Sequence, residues 1–140
     1  LGFSVTVCFI VVFFNYGAIL VFDLTNRTTF EHLNDWIKDL EQNAPKDVQV
    51  YVAGNKSDLE DTRQVIPIEI QDFLNDHPHM KYFECSAKNG TNISLMFEQL
   101  ATQIAKHIEN TENQKENAER RVYKVEKKMG KINQKQNKCC

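Results

Sequence analysis

Two apolar runs, Ala18–Phe22 and Val48–Ala53, constrain the fold more than any other feature of this sequence. The first holds no polar side chain and stops at Asp23; the second stops at Gly54, where a backbone without Cβ is free to turn sharply. A short, nearly continuous apolar run marks a strand covered on both faces, the usual situation in a parallel sheet. Between the two runs, Phe30, Leu33, Ile37 and Leu40 recur at helical spacing. Thr28 and Glu31 predict a capping box at the start of that helix, and Ala44-Pro45 predicts its end. The pattern then repeats. Pro67 suits the first turn of a helix with Ile70, Phe73 and Leu74 inside, and Lys81–Cys85 reads as a third strand. Asn92 or Thr91 caps a last helix whose inner stripe is Ile93, Phe97, Leu100, Ile104 and Ile108. Strand and helix alternating three times implies an α/β fold, a parallel sheet with helices on both faces. Ligands of such sheets bind beyond the carboxyl ends of the strands, which singles out the loops beginning at Asp23, Gly54 and Cys85.

Residues 1–22 carry no charged side chain and reach the length of a membrane span. Three readings stand side by side. Asn15-Tyr16-Gly17 interrupts the run, so Phe3–Phe14 and Ala18–Phe22 form a strand pair; alternatively the run is a transmembrane or signal segment, or it is non-native sequence such as a misread gene boundary. Residues 1–15 are therefore an apolar N-terminal segment of unclear origin.

Charge divides the chain. Residues 1–109 hold 8 Lys/Arg against 15 Asp/Glu, a net of −7; residues 110–140 hold 9 against 4, a net of +5. A basic tail on an acidic body directs the tail toward an anionic partner, first of all a membrane surface. The four cysteines make no disulfide framework and suit a reducing compartment. Cys85 reads as a small buried residue rather than a nucleophile, since no His lies near it in sequence.

The loop after the second strand reads Asn55-Lys56-Ser57-Asp58, and the loop after the third reads Cys85-Ser86-Ala87-Lys88. Taken singly, each is also an ordinary polar turn. Together, in order and both at strand ends, they resemble the NKxD and SAK motifs of the small GTPases. Gly17 to Thr25 is similar to the fourth strand of the Rab family, and Phe30 to Ala44, with Trp36-Ile37, to its third helix. The resemblance covers residues 16–109, about two-thirds of the chain. It implies a partial doubly wound, P-loop-NTPase-like sheet: the small GTPase fold without its N-terminal half.

The resemblance also implies roles. Guanine presents two adjacent donors, the ring N1–H and the exocyclic amine, and Asp58 is the carboxylate that would accept both. Adenine would leave that charge unpaired. Asn55 would tie neighbouring loops together, Lys56 and Lys88 would lay their alkyl stems on the base faces, the Ala87 amide would donate to the guanine oxygen, and Ser86 would shape the turn.

Departures from the family pattern are equally plain. The sequence holds no GxxxxGKS/T loop to cradle phosphates and place a Mg²⁺ ligand, no DxxGQ segment, and no effector-loop Thr ahead of it. The expectation is a chain with the purine half of a GTP/GDP site and without the phosphate and Mg²⁺ half, for which hydrolysis alone is negligible. The alternative is a non-catalytic prenylated interaction module, or a membrane protein with an N-terminal span.

Residues 110–140 read as a basic, solvated, partly helical tail. Val122, Val125, Met129 and Ile132 keep an a/d spacing over less than two heptads. The terminal Cys139-Cys140 resembles the Rab prenylation signal, and two lipid chains anchor stably where one is marginal. Lys128, Lys131, Lys135 and Lys138 would add attraction to an anionic leaflet. The family resemblance then implies effectors, exchange factors, prenylation machinery and the cytoplasmic face of intracellular membranes, in vesicle traffic.

Overall fold

The computed structural model describes residues 9–13 and 16–136. Residues 1–8, 14, 15 and 137–140, among them Lys138, Cys139 and Cys140, lie outside the described residues. The chain divides into two compact units between Ile104 and Ala105.

The first unit is built on a four-stranded sheet of order β1-β2-β3-β4. Strands β2 (Gly17–Asp23), β3 (Gln49–Asn55) and β4 (Lys81–Glu84) run parallel, and the two inner ones, β2 and β3, carry the buried apolar runs expected of such a sheet. Strand β1 (Phe9–Phe13) pairs antiparallel with β2, from Phe9 opposite Val21 to Phe13 opposite Gly17. The strand reading of Phe3–Phe14 is met over Phe9–Phe13, and the sheet is mixed at that edge rather than wholly parallel. Only three residues separate Phe13 from Gly17, too few for the crossover that a parallel pairing needs. Among the described residues no helix is long and apolar enough to cross a membrane.

Residue parity sorts the core into two layers. Leu20, Phe22, Val50 and Val52 face one side, where they pack with Leu24, Leu33, Ile37, Val65, Ile70 and Met80. Ile19, Tyr51 and Ala53 face the other, with Cys85, Met96 and Leu100. Helices therefore cover both faces of the sheet. Burying each of these Leu, Ile and Val side chains contributes about 1.5–3 kcal/mol.

Helix α1 (Arg27–Glu31) and α2 (Leu33–Asn43) meet at His32. The capping box expected from Thr28 and Glu31 does not form. The cap is Asn26, whose side chain accepts from the Thr28 amide at 3.2 Å, and Thr28 lies inside the helix. A reciprocal contact appears instead at α3 (Pro67–Asp76): the Glu69 carboxylate accepts from the Ile66 amide at 3.1 Å and also pairs with Arg27. Ala44 is extended ahead of Pro45 and ends α2 as expected.

Helix α4 runs from Ile93 to Gln136. Its sheet-facing stripe is Ile93, Met96, Leu100 and Ile104, whereas Phe97 is 41% exposed. Met96 and Phe97 flank the stripe on opposite sides at 100° per residue, and the sheet takes the Met side. Neither Thr91 nor Asn92 caps α4 with its side chain: Thr91 donates to Asn89, and Asn92 donates to the Glu84 carbonyl at 2.7 Å. Residues 110–136, expected to be only partly helical, are helical throughout. That stretch holds no Pro and one Gly, and its Lys, Glu, Gln and Arg are good helix formers.

Gly54 plays a part other than the expected one. It lies within β3, between Phe22 and Glu84 in the ladder, and the sharp turn comes two residues later. A Cβ at Gly54 would stand 2.5 Å from the Tyr82 hydroxyl and 3.1 Å from Leu24 and Phe22 side chains. Gly54→Ala is expected to destabilise the fold by about 1–3 kcal/mol in chemical denaturation. Adding Tyr82→Phe removes the closest atom, so the double variant should recover part of that loss in a double-mutant cycle.

Candidate functional site

The β2–β3–β4 register brings the three strand-end loops together. Asp23 lies opposite Asn55 and Gly54 opposite Glu84. Backbone hydrogen bonds extend the ladder beyond the strands: Leu24 N–H to Asn55 O at 3.0 Å, Cys85 N–H to Gly54 O at 2.8 Å, and Ser57 N–H to Cys85 O at 3.0 Å.

On this platform the two polar turns interlock. Ser86 Oγ donates to Asp58 Oδ1 at 2.6 Å, and the Ala87 amide donates to Asn55 Oδ1 at 3.1 Å. Ser86 is fully buried, Asn55 is half-buried, and Asp58, Ala87 and Lys88 are exposed. The second turn is further stiffened by Gly90 N–H to Ser86 O at 2.8 Å and Ser86 N–H to Thr91 O at 3.1 Å. Asp58 therefore presents an exposed carboxylate with one oxygen held by Ser86. A hydroxyl donor on one oxygen fixes the plane of the carboxylate.

Two contacts tie these turns further: the Ala87 amide is engaged by Asn55, and Lys56 reaches Asp23, Nζ to Oδ2 at 2.6 Å. Lys56 also carries φ 66°, a left-handed conformation rare outside glycine.

Asp23 was singled out as the start of a loop but given no role. Its carboxylate accepts from both the amide and the hydroxyl of Thr25, at 2.8 and 2.6 Å, and from Lys56. Burial works to raise its pKa, but the hydrogen bonds from Lys56 and Thr25 prevail and hold the carboxyl below its ordinary value. The Asp-x-Thr spacing of an Asx turn was the available signal. Arg63 was missed with no local signal: it grips Glu84, 21 residues away, at 2.5 and 3.2 Å and donates to the Val65 carbonyl at 2.7 Å. That clamp fastens the loop after Asp58 to the end of β4.

All six residues singled out from sequence, Asn55, Lys56, Asp58, Ser86, Ala87 and Lys88, thus stand in the two adjoining turns. Among the described residues no cluster of His, Cys, Asp and Glu is arranged to hold a metal ion.

Residues 10–106 match the Ras family. Over 99 residues the chain is 41% identical to the Ras-related protein RABA4b of Arabidopsis thaliana, covering 71% of this chain and 42% of that protein. It is 40% identical over 88 residues to the Ras-related protein Rab-22A of Homo sapiens, covering 63% and 45% respectively. With Rab-11A of Dictyostelium discoideum the identity is 35% over 88 residues, covering 63% and 41%. The chain belongs to the Ras family, among its Rab-type small GTPases, and spans less than half the length of these relatives.

Two measurements probe the platform. The Asp23–Lys56 pair is half-exposed, so it contributes on the order of 1 kcal/mol or less. Because the folded Asp23 pKa is lowered, that contribution is whole above the unfolded carboxyl value of 3.8 and is lost as pH falls through the lower folded value. The stability difference between wild type and Lys56→Met should accordingly be present at pH 7 and shrink below about pH 4 in urea melts. Cys85 is the second probe. Burial, then the Glu84 charge, pushes its thiol up to about 11, and its side chain is enclosed. At pH 8 only about a thousandth of it is thiolate. Alkylation mapped by peptide mass spectrometry should spare Cys85 in the folded chain and reach it in urea.

Proposed function

We propose that the interlocked turns are the base-reading half of a guanine-nucleotide site in a Rab-like protein of vesicle-mediated transport. The observation that supports this most is the Ser86–Asp58 hydrogen bond. It leaves an oriented, exposed carboxylate at the carboxyl edge of the sheet, where a base with two adjacent donors can meet both oxygens. Guanine has that pair, and adenine in the same pose does not. A mismatched base would leave the carboxylate facing an acceptor, a penalty of about 1–3 kcal/mol, or at least about fivefold in affinity.

The remaining residues take supporting roles in this reading. Asn55 braces the second turn through Ala87, and releasing that amide would free it for the guanine carbonyl oxygen. The alkyl stems of Lys56 and Lys88 flank the base, with Lys56 steered by Asp23. GTP or GDP phosphates and Mg²⁺ would be held by parts of a Rab protein outside the residues described, and those parts would supply the chemistry of hydrolysis. Cys139 and Cys140 would carry prenyl groups and place the protein on the cytoplasmic face of intracellular membranes. Effectors, exchange factors and the prenylation machinery would be its protein partners.

Base contacts without phosphate contacts give an affinity of roughly millimolar order. Titrating the ¹⁵N-labelled chain with GMP and AMP should move the amide signals of Asn55–Asp58 and Ser86–Lys88 with GMP, and should show at least about fivefold weaker binding of AMP. Asp58→Ala should abolish the difference between the two bases. Equal responses to GMP and AMP, or signals moving elsewhere, would defeat the proposal.

A further inference from the structure

The second unit begins at Ala105, and the helix that forms it has no counterpart in the nucleotide chemistry above. Its exposed side chains are unusual for a helix in water. Val122, Val125 and Met129 are 57%, 57% and 59% exposed, and their spacing of three and four residues puts them on one line. From sequence alone the line was too short to read as a coiled coil. A continuous helix through Gln136 changes the frame in which it is read.

With Val122 at position a of a heptad abcdefg, Lys115, Val122 and Met129 fall at a, and Ala118 and Val125 fall at d. The flanks of this seam are sorted by charge. Position e is Glu112, Glu119 and Glu126; position g is Gln114, Arg121 and Lys128. The helix satisfies other charges internally, but on its far side: Arg120 pairs with Glu116 at 2.5 Å, and Lys127 lies over the Tyr123 ring at 5.9 Å, all at positions b and f. Among the described residues none of Glu112, Glu119, Arg121, Glu126 and Lys128 forms an ion pair or hydrogen bond through its side chain.

We propose that this helix is a homodimerisation element: two copies of the chain associate through it as a parallel, in-register coiled coil. In a parallel pair each g residue faces the e residue of the partner's next heptad. Arg121 then faces Glu126 of the partner subunit, and Gln114 faces Glu119 of the partner subunit. The same two contacts recur across the two-fold axis. An antiparallel pair would set Glu against Glu and Arg121 and Lys128 against each other, so the charges select one orientation. The pattern is complementary to itself, and that commits the partner to a second copy of this chain. A β-branched residue at a favours two strands, and a single Lys at a fixes register while weakening association. The 3.5-residue repeat gives the seam a left-handed supercoil. With Ala118 and Lys115 in the seam, association is weak and depends on concentration.

Analytical ultracentrifugation of the full chain, in reductant so that no cysteine crosslinks, tests this directly. Across about 1–500 µM the wild-type mass should rise from monomer to dimer. Glu119→Lys with Glu126→Lys should weaken self-association at least tenfold, and so should Arg121→Glu with Lys128→Glu, because each makes e and g alike in sign. Mixing the two variants in equal amounts should restore the dimer, since basic flanks then meet acidic ones. That restoration also shows that neither variant is misfolded. A wild-type chain that stays monomeric at every concentration overturns the proposal. So does a dimer that survives the reversals, or a mixture that restores nothing.

Discussion

The parallel pairing of β3 with both of its neighbours is the constraint on which the first unit depends. Its register sets Asp23 beside Asn55 and Gly54 beside Glu84, so that three chain segments end their strands at one level. Everything polar in the site is hung from that edge. The pairing leaves little room for a side chain at Gly54, because the Tyr82 hydroxyl and the Phe22 and Leu24 side chains already crowd the space. Helices on both sides of the sheet bury both faces of β2 and β3, which explains why these two strands read as nearly unbroken apolar runs and not as alternating ones.

Polar turns at such an edge would be loose if each were held only by its own backbone. Here they hold one another. Ser86 is buried and fixes the Asp58 carboxylate, Asn55 fixes the Ala87 amide, and Lys56 is drawn to Asp23. The contacts are reciprocal in sequence, each linking a residue of one loop to a residue of another. A ligand that needs an oriented carboxylate finds one without first ordering the loops, and less conformational entropy is lost on binding. The left-handed Lys56 backbone fits this view, since such conformations persist where the surroundings over-determine them.

Much of this was legible from particular residues. Ala18–Phe22 and Val48–Ala53 identified β2 and β3, Pro67 marked the start of α3, and Pro45 the end of α2. The six polar residues of the two motifs were found because they follow strands. Other features were not legible, for physical reasons. Thr28 looked like a cap until Asn26, a better acceptor two residues earlier, took the position. Phe97 was expected inside, but helix rotation is set by what the sheet presents, and Leu100 and Ile104 approach Gly17 so closely that Met96 turns inward. The Arg63–Glu84 clamp spans 21 residues and leaves no local trace.

By itself, then, the sequence determined the alternation of strands and helices, the strand ends at which chemistry gathers, and the basic character of the C-terminal tail. Those depend on side-chain period and on local backbone preference, which act over a few residues. Tertiary structure decided which turn residues touch, where Lys56 points, which acceptor the Ala87 amide takes, and how β1 joins the edge of the sheet. All but the last depend on the register between strands distant in sequence, and that register is fixed by burial of the sheet faces, which no local stretch of sequence supplies.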